Sequence, residues 1–158
     1  MNHEVGRLRW WVAACGLALA LSSAPARALF SVNQPWLRPA QTGQSAELYM
    51  NLTSTDGATL VAIRSDEAAN VVFRGPDKLP RALDTLLLPA KMTVTLAPGK
   101  AHFALIRLNR PVTLGQRIAL TLTIQAANGA RQEIPIVAEV RMRSPAEEEL
   151  RAHPPQQR

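Results

Sequence analysis

The chain has 158 residues, with 18 Lys+Arg against 12 Asp+Glu and a net charge of +6. Its basic residues are spread singly, without a Lys/Arg cluster interleaved with aromatics, so nucleic-acid binding has no footing. Of three histidines only His102 falls in the expected folded body, and the single cysteine, Cys15, does not, so there is no Ser-His-Asp, Cys-His or paired-carboxylate arrangement to propose and an enzyme is the least expected class.

The first element in chain order is a targeting segment. Arg7 and Arg9 supply a positive start, and Trp10 to Leu21 is an apolar run too short to span a bilayer as a standalone helix. Ala26-Arg27-Ala28 places small residues where a signal peptidase reads. The expectation is a signal peptide over 1–28, removed after Ala28 to release a periplasmic protein with no stable membrane anchor. Val12-Ala13-Ala14-Cys15 resembles a lipoprotein acceptor, but almost no apolar segment precedes Cys15. Removing residues 1–28 leaves 15 Lys+Arg against 11 Asp+Glu, a charge of +4 and no cysteine. The mature chain then has neither a disulfide nor a thiolate metal site. Its residual charge leaves attraction to an acidic partner or an anionic surface open.

Residues 29–143 read as one domain of all-β class. Ser45 to Thr53 alternates, with Ala46, Leu48, Met50 and Leu52 on one face and Glu47, Tyr49 and Asn51 on the other. Lys91 to Leu96 alternates with Met92, Val94 and Leu96 in phase, which reads Met92, like Met50, as core packing. His102 opens the run His102-Phe103-Ala104-Leu105-Ile106-Arg107-Leu108. Ile118, Leu120, Leu122 and Ile124 share a face, and Ile134, Ile136, Ala138 and Val140 repeat the pattern. A period of two marks strands with one buried face. Asp56-Gly57, Gly75-Pro76-Asp77, Pro98-Gly99 and Asn128-Gly129 separate the runs as turns, and Asn128-Gly129 predicts a hairpin. Short strands with regular turns predict an antiparallel Greek-key β-sandwich. Pro135 inside the last run predicts an edge strand or a bulge. From Ser144 to Arg158 the apolar period stops. Residues 144–158 read as a disordered polar tail, with at most a helical turn or two over Ala146 to Ala152.

Several pieces together resemble the PCu(A)C copper-chaperone family. Val32-Asn33-Gln34-Pro35-Trp36-Leu37-Arg38-Pro39 is similar to its opening, with a Trp-x-Arg signature. Ala46-Glu47-Leu48-Tyr49-Met50-Asn51-Leu52 is similar to its next strand, which has a Tyr at this place. Thr59 to Ser65, Leu88-Pro89-Ala90, Leu96 to His102 and Leu108-Asn109-Arg110-Pro111 continue the resemblance across about Phe30 to Val140. It implies a cupredoxin-like β-sandwich and a periplasmic protein carrying Cu(I) towards cytochrome oxidase assembly proteins, its implied partners.

Carried over residue by residue, the family's copper ligands are a His, a Met and a closing His-x-Met. The closing His falls on His102. The Met that follows it falls on Ala104, the earlier Met near Pro80 and the first His near Arg74, with the hairpin between them shortened. Soft thioethers with imidazole suit Cu(I). With one of four ligands kept, His102 is the single candidate metal residue, Cu(I) is held weakly or not at all, and Arg74 sets a positive charge beside the site. His102 also reads as a half-buried strand histidine with its ring hydrogen-bonded. Met142 reads as exposed, and His153 sits in the tail. Trp36 and Arg38 read as stacking on the sandwich and Tyr49 as filling the less buried face. Asp84 and Glu133 read as isolated, solvated acids. Two function classes follow: a copper chaperone with a degenerate site, or a metal-free sandwich serving as a protein-interaction module.

Overall fold

The structure, a computed structural model, describes residues 29–75 and 85–152. It contains nine strands in chain order: β1 (Phe30–Leu37), β2 (Ala46–Ser54), β3 (Ala58–Arg64), β4 (Ala68–Arg74), β5 (Leu86–Leu88), β6 (Thr93–Leu96), β7 (His102–Leu108), β8 (Arg117–Ala126) and β9 (Arg131–Val140). One helix, α1 (Pro145–Ala152), follows.

The strands pair in the order β4-β7-β2-β1-β9-β8-β3-β5, with β6 also on β2. Every pairing between strands is antiparallel except β1 with β9. That parallel contact consists of Trp36 opposite Glu139 and Leu37 opposite Val140. It joins one layer, β4-β7-β2-β1 with β6, to the other, β9-β8-β3-β5. The fold is therefore the expected all-β sandwich, with its layers fused into one nearly closed sheet.

Alternation explains the core. Leu37, Leu48, Met50, Leu52, Phe73, Leu88, Phe103, Leu105, Ile118, Leu120, Leu122, Ala138 and Val140 all point between the layers and are buried there. Burying a side chain of this size contributes roughly 1.5–3 kcal/mol, so this shared face holds the two layers together. The hairpin at Asn128-Gly129 forms as expected. Only Gly129 takes a left-handed backbone (φ 83°), so the loop is the longer kind with a single left-handed residue. Asn128 Oδ1 accepts from Ala130 N at 3.0 Å and closes it. Pro135 pairs with Thr121 on β8 without a register shift. The parallel contact to β1 begins only at Glu139, so Pro135 lies on a free edge.

Three expectations need correction. Met92 is 60% exposed rather than in the core. Lys91 adopts a left-handed φ of 61° and its N–H bonds Ser54 O, so β6 starts only at Thr93. Within the segment read as a disordered tail, residues 145–152 form a helix, the turn or two allowed over Ala146 to Ala152. Ser144 caps it, Oγ accepting from Glu147 N while Glu147 Oε2 accepts from Ser144 N, a reciprocal capping box. None of its residues is buried. Glu133 is solvated but not isolated, because it pairs with Arg64. Asp84, the segment 1–28 with Cys15, and residues 153–158 lie outside the described residues.

Candidate functional site

The side chains singled out from the sequence meet on the outer face of the first layer. On β2, Glu47 and Tyr49 alternate with the core residues Leu48 and Met50. On β7, His102 and Ala104 alternate with Phe103 and Leu105. Register then brings three strands together. Trp36 on β1 sits opposite Tyr49, Glu47 opposite Ala104, and Arg74 on β4 opposite His102.

The result is a cross-strand row of rings. Trp36 and Tyr49 have centroids 4.5 Å apart, Tyr49 and His102 5.8 Å, and the Arg38 guanidinium lies over the Tyr49 ring at 5.8 Å. Tyr49 occupies the expected face but is only 1% exposed, because these neighbours enclose it. Trp36 and Arg38 stack as the sequence suggested.

Polar contacts orient this row. The Tyr49 hydroxyl donates to Glu47 Oε2. Arg38 Nη1 donates to the same oxygen at 3.4 Å. Burial, and then the hydrogen bond to the Glu47 carboxylate, push the Tyr49 phenol well above its ordinary range, so it stays protonated. His102 Nδ1 lies 2.9 Å from the Lys100 carbonyl oxygen. A carbonyl can only accept, so Nδ1 carries a proton in this contact. The Nε2 of the same ring is buried without a hydrogen bond. It faces Glu47 Oε1 at 3.9 Å, beyond hydrogen-bond reach.

This donor set does not fit Cu(I). Ala104 is fully buried between Glu47 and Val72, where the resemblance calls for a thioether. Arg74 is a cation in register with His102. Met50 points into the core, and Met92 and Met142 are each 60% exposed away from the row. Pro80 and His153 lie outside the described residues. Among the described residues, no group of three or more His, Cys, Asp or Glu side chains is placed to hold a metal ion. Of the residues named for copper, the fold thus brings together His102, Ala104 and Arg74. Sequence reasoning missed Glu47 as their neighbour. Its only sequence signal is its shared phase with Tyr49, and the β2–β7 register is needed to set it against His102.

Comparison with known proteins agrees with the fold. The chain is similar to the PCuAC domain of PmoF1 in its apo form, at 29% identity and a TM-score of 0.59, over 71% of this chain and 92% of that domain. It is similar to the copper-bound PCuAC domain of PmoF2 at 26% identity and a TM-score of 0.60, over 73% of this chain and 93% of that one. The fold also matches the Cu(I) form of DR1885 from Deinococcus radiodurans, at 23% identity and a TM-score of 0.54 over 77% of this chain and 85% of that one. In sequence it is 25% identical over 113 residues to a putative lipoprotein of Leifsonia xyli subsp. xyli, covering 66% of this chain and 68% of that protein. The model of the family described as putative lipoprotein LpqE-like matches residues 30–136. With that match spanning most of the barrel, the chain belongs to the LpqE-like family, and it carries the PCuAC copper-chaperone fold.

Proposed function

We propose that this is a non-enzymatic, copper-chaperone-like protein of the cell envelope whose Cu(I) site has degenerated around His102. The observation that carries this reading is Ala104. A fully buried methyl stands two residues after His102, with Arg74 in register across the strand. Cu(I) gains stability from several soft donors held together, and these positions supply none. A lone imidazole competes poorly with water and other ligands. Copper-bound relatives of the same fold support a metal-handling role. A place beside cytochrome oxidase assembly proteins is part of this proposal, as is the envelope location, supported by relatives named as putative lipoproteins.

The test is Cu(I) titration against a competing chelator on wild type, His102→Ala and Arg74→His/Ala104→Met. Wild type is expected to bind Cu(I) weakly, His102→Ala to abolish the residue, and the double variant to bind more tightly. Tight one-to-one binding by wild type, unchanged in the double variant, would overturn the reading. N-terminal sequencing of exported protein is expected to start at Leu29, whose N–H donates to Thr55 Oγ1 and whose carbonyl accepts from Thr55 N. A lipid-modified start at Cys15 would instead make it a lipoprotein.

A further inference from the structure

We infer that Met92 and Met142 are sites of reversible sulfoxidation, at which the protein consumes hydroperoxides without losing its fold. The thioether sulfur attacks the hydroxyl-bearing oxygen of the peroxide bond. A sulfur–oxygen bond forms and the oxygen–oxygen bond breaks. The proton on the transferred oxygen moves to the departing one, which leaves as water from hydrogen peroxide or as an alcohol from an organic hydroperoxide. Sulfur loses two electrons and the peroxide gains them. Methionine sulfoxide reductases return the sulfoxide to the thioether.

The fold sorts the methionines by access. Met92 and Met142 are each 60% exposed, whereas Met50 is 2% exposed and belongs to the apolar core. Met92 lies outside because the left-handed Lys91 turns the chain before β6 begins at Thr93. Its N–H reaches back to Pro89 O instead of joining a strand ladder. Met142 lies between the end of β9 at Val140 and the start of α1 at Pro145. Neither residue belongs to a strand, so an oxygen added to its sulfur meets water and breaks no pairing. Oxidising Met50 is a different event. Met50 pairs with Leu96 on β6 and its side chain sits among core residues. A polar sulfoxide there is buried without a partner, which opposes the folded state. Peroxide reaches that sulfur only when the structure opens around it. The two surface thioethers therefore react first, and reaction at them leaves the core intact.

The experiment exposes the purified full chain to excess hydrogen peroxide, folded and in urea, and follows each of these methionines by peptide mass spectrometry. In the folded protein, Met92 and Met142 are expected to take up one oxygen at close to the rate of a free methionine peptide, and Met50 at least about tenfold more slowly. In urea the three rates are expected to converge. Protein oxidised at Met92 and Met142 alone is expected to keep its urea midpoint. Methionine sulfoxide reductases of both stereospecificities are expected to restore both residues. A Met92→Leu/Met142→Leu variant is expected to leave Met50 as slow as before, which separates protection by the fold from competition for oxidant by the surface sulfurs. Met50 oxidised as fast as the other two, or faster in the variant than in wild type, would overturn the inference. So would either surface methionine reacting as slowly as Met50, a lowered midpoint, or sulfoxides that the reductases do not restore.

Discussion

A methionine at position 104 would have to enter a place where alanine is already fully covered, between Glu47 and Val72. Extra methylenes in packed surroundings force rotamer and backbone shifts. Ala104→Met is therefore expected to destabilise the protein by about 1–3 kcal/mol, seen as a lower urea midpoint. An unchanged midpoint would mean that the row around Tyr49 yields easily. Glu67 offers a second residue-level prediction. Arg110 donates to both its carboxylate oxygens, and that hydrogen bonding holds the carboxyl below its ordinary range against the opposing effect of burial. With the folded value below the unfolded one, the pair's contribution is full above the ordinary carboxylate pKa of about 4.3. It is lost as pH falls through the folded value. Glu67→Gln is expected to lower the melting temperature at pH 7, with the gap to wild type closing in acid. A gap that persists in acid would exclude this origin. Ala104 and His102 were legible in the sequence because they sit in a short motif. Glu47 was not, because its approach to His102 depends on a register between strands far apart in the chain. Tyr49 was placed on the right face, but alternation carries no information about what covers that face.

At the scale of elements, β2, β8 and β9 were legible because two-residue alternation survives over long runs. The start of β6 was not, since Met92 continues the phase while the left-handed Lys91 has already turned the chain. The first and last strands also show how edges are kept apart. Below their short contact, β1 carries Pro35 beside a register shift between Asn33 and Trp36, and β9 carries Pro135. Proline offers no N–H to an incoming strand, and a bulge twists an edge away. Pro135→Val is expected to raise light scattering on concentration while leaving the urea midpoint nearly unchanged. Scattering equal to wild type would show that Pro135 does not guard this edge. Helix α1 forms from its own cap, and its tie to the sandwich is Glu148 with Arg141, which also bonds Glu139 at 2.7 Å. Exposed ion pairs are worth about 0–1 kcal/mol. Deleting residues 145–158 is therefore expected to shift the melting temperature by less than about 5 °C for a domain of this size. A larger fall would show that the segment packs.

For the molecule as a whole, binary patterning was enough to specify a two-layered β fold with one apolar interior. It did not specify how the layers join, because the pairing of β1 with β9 rests on two register positions, Trp36 with Glu139 and Leu37 with Val140. That seam has a kinetic consequence. It closes a loop of roughly 100 residues between the first strand and the last, a long-range contact of the sort that slows folding. The first strand stays open on that side until the final strand has been delivered. A chain delivered from its N-terminus onward would then close this seam only after nearly all of it had emerged.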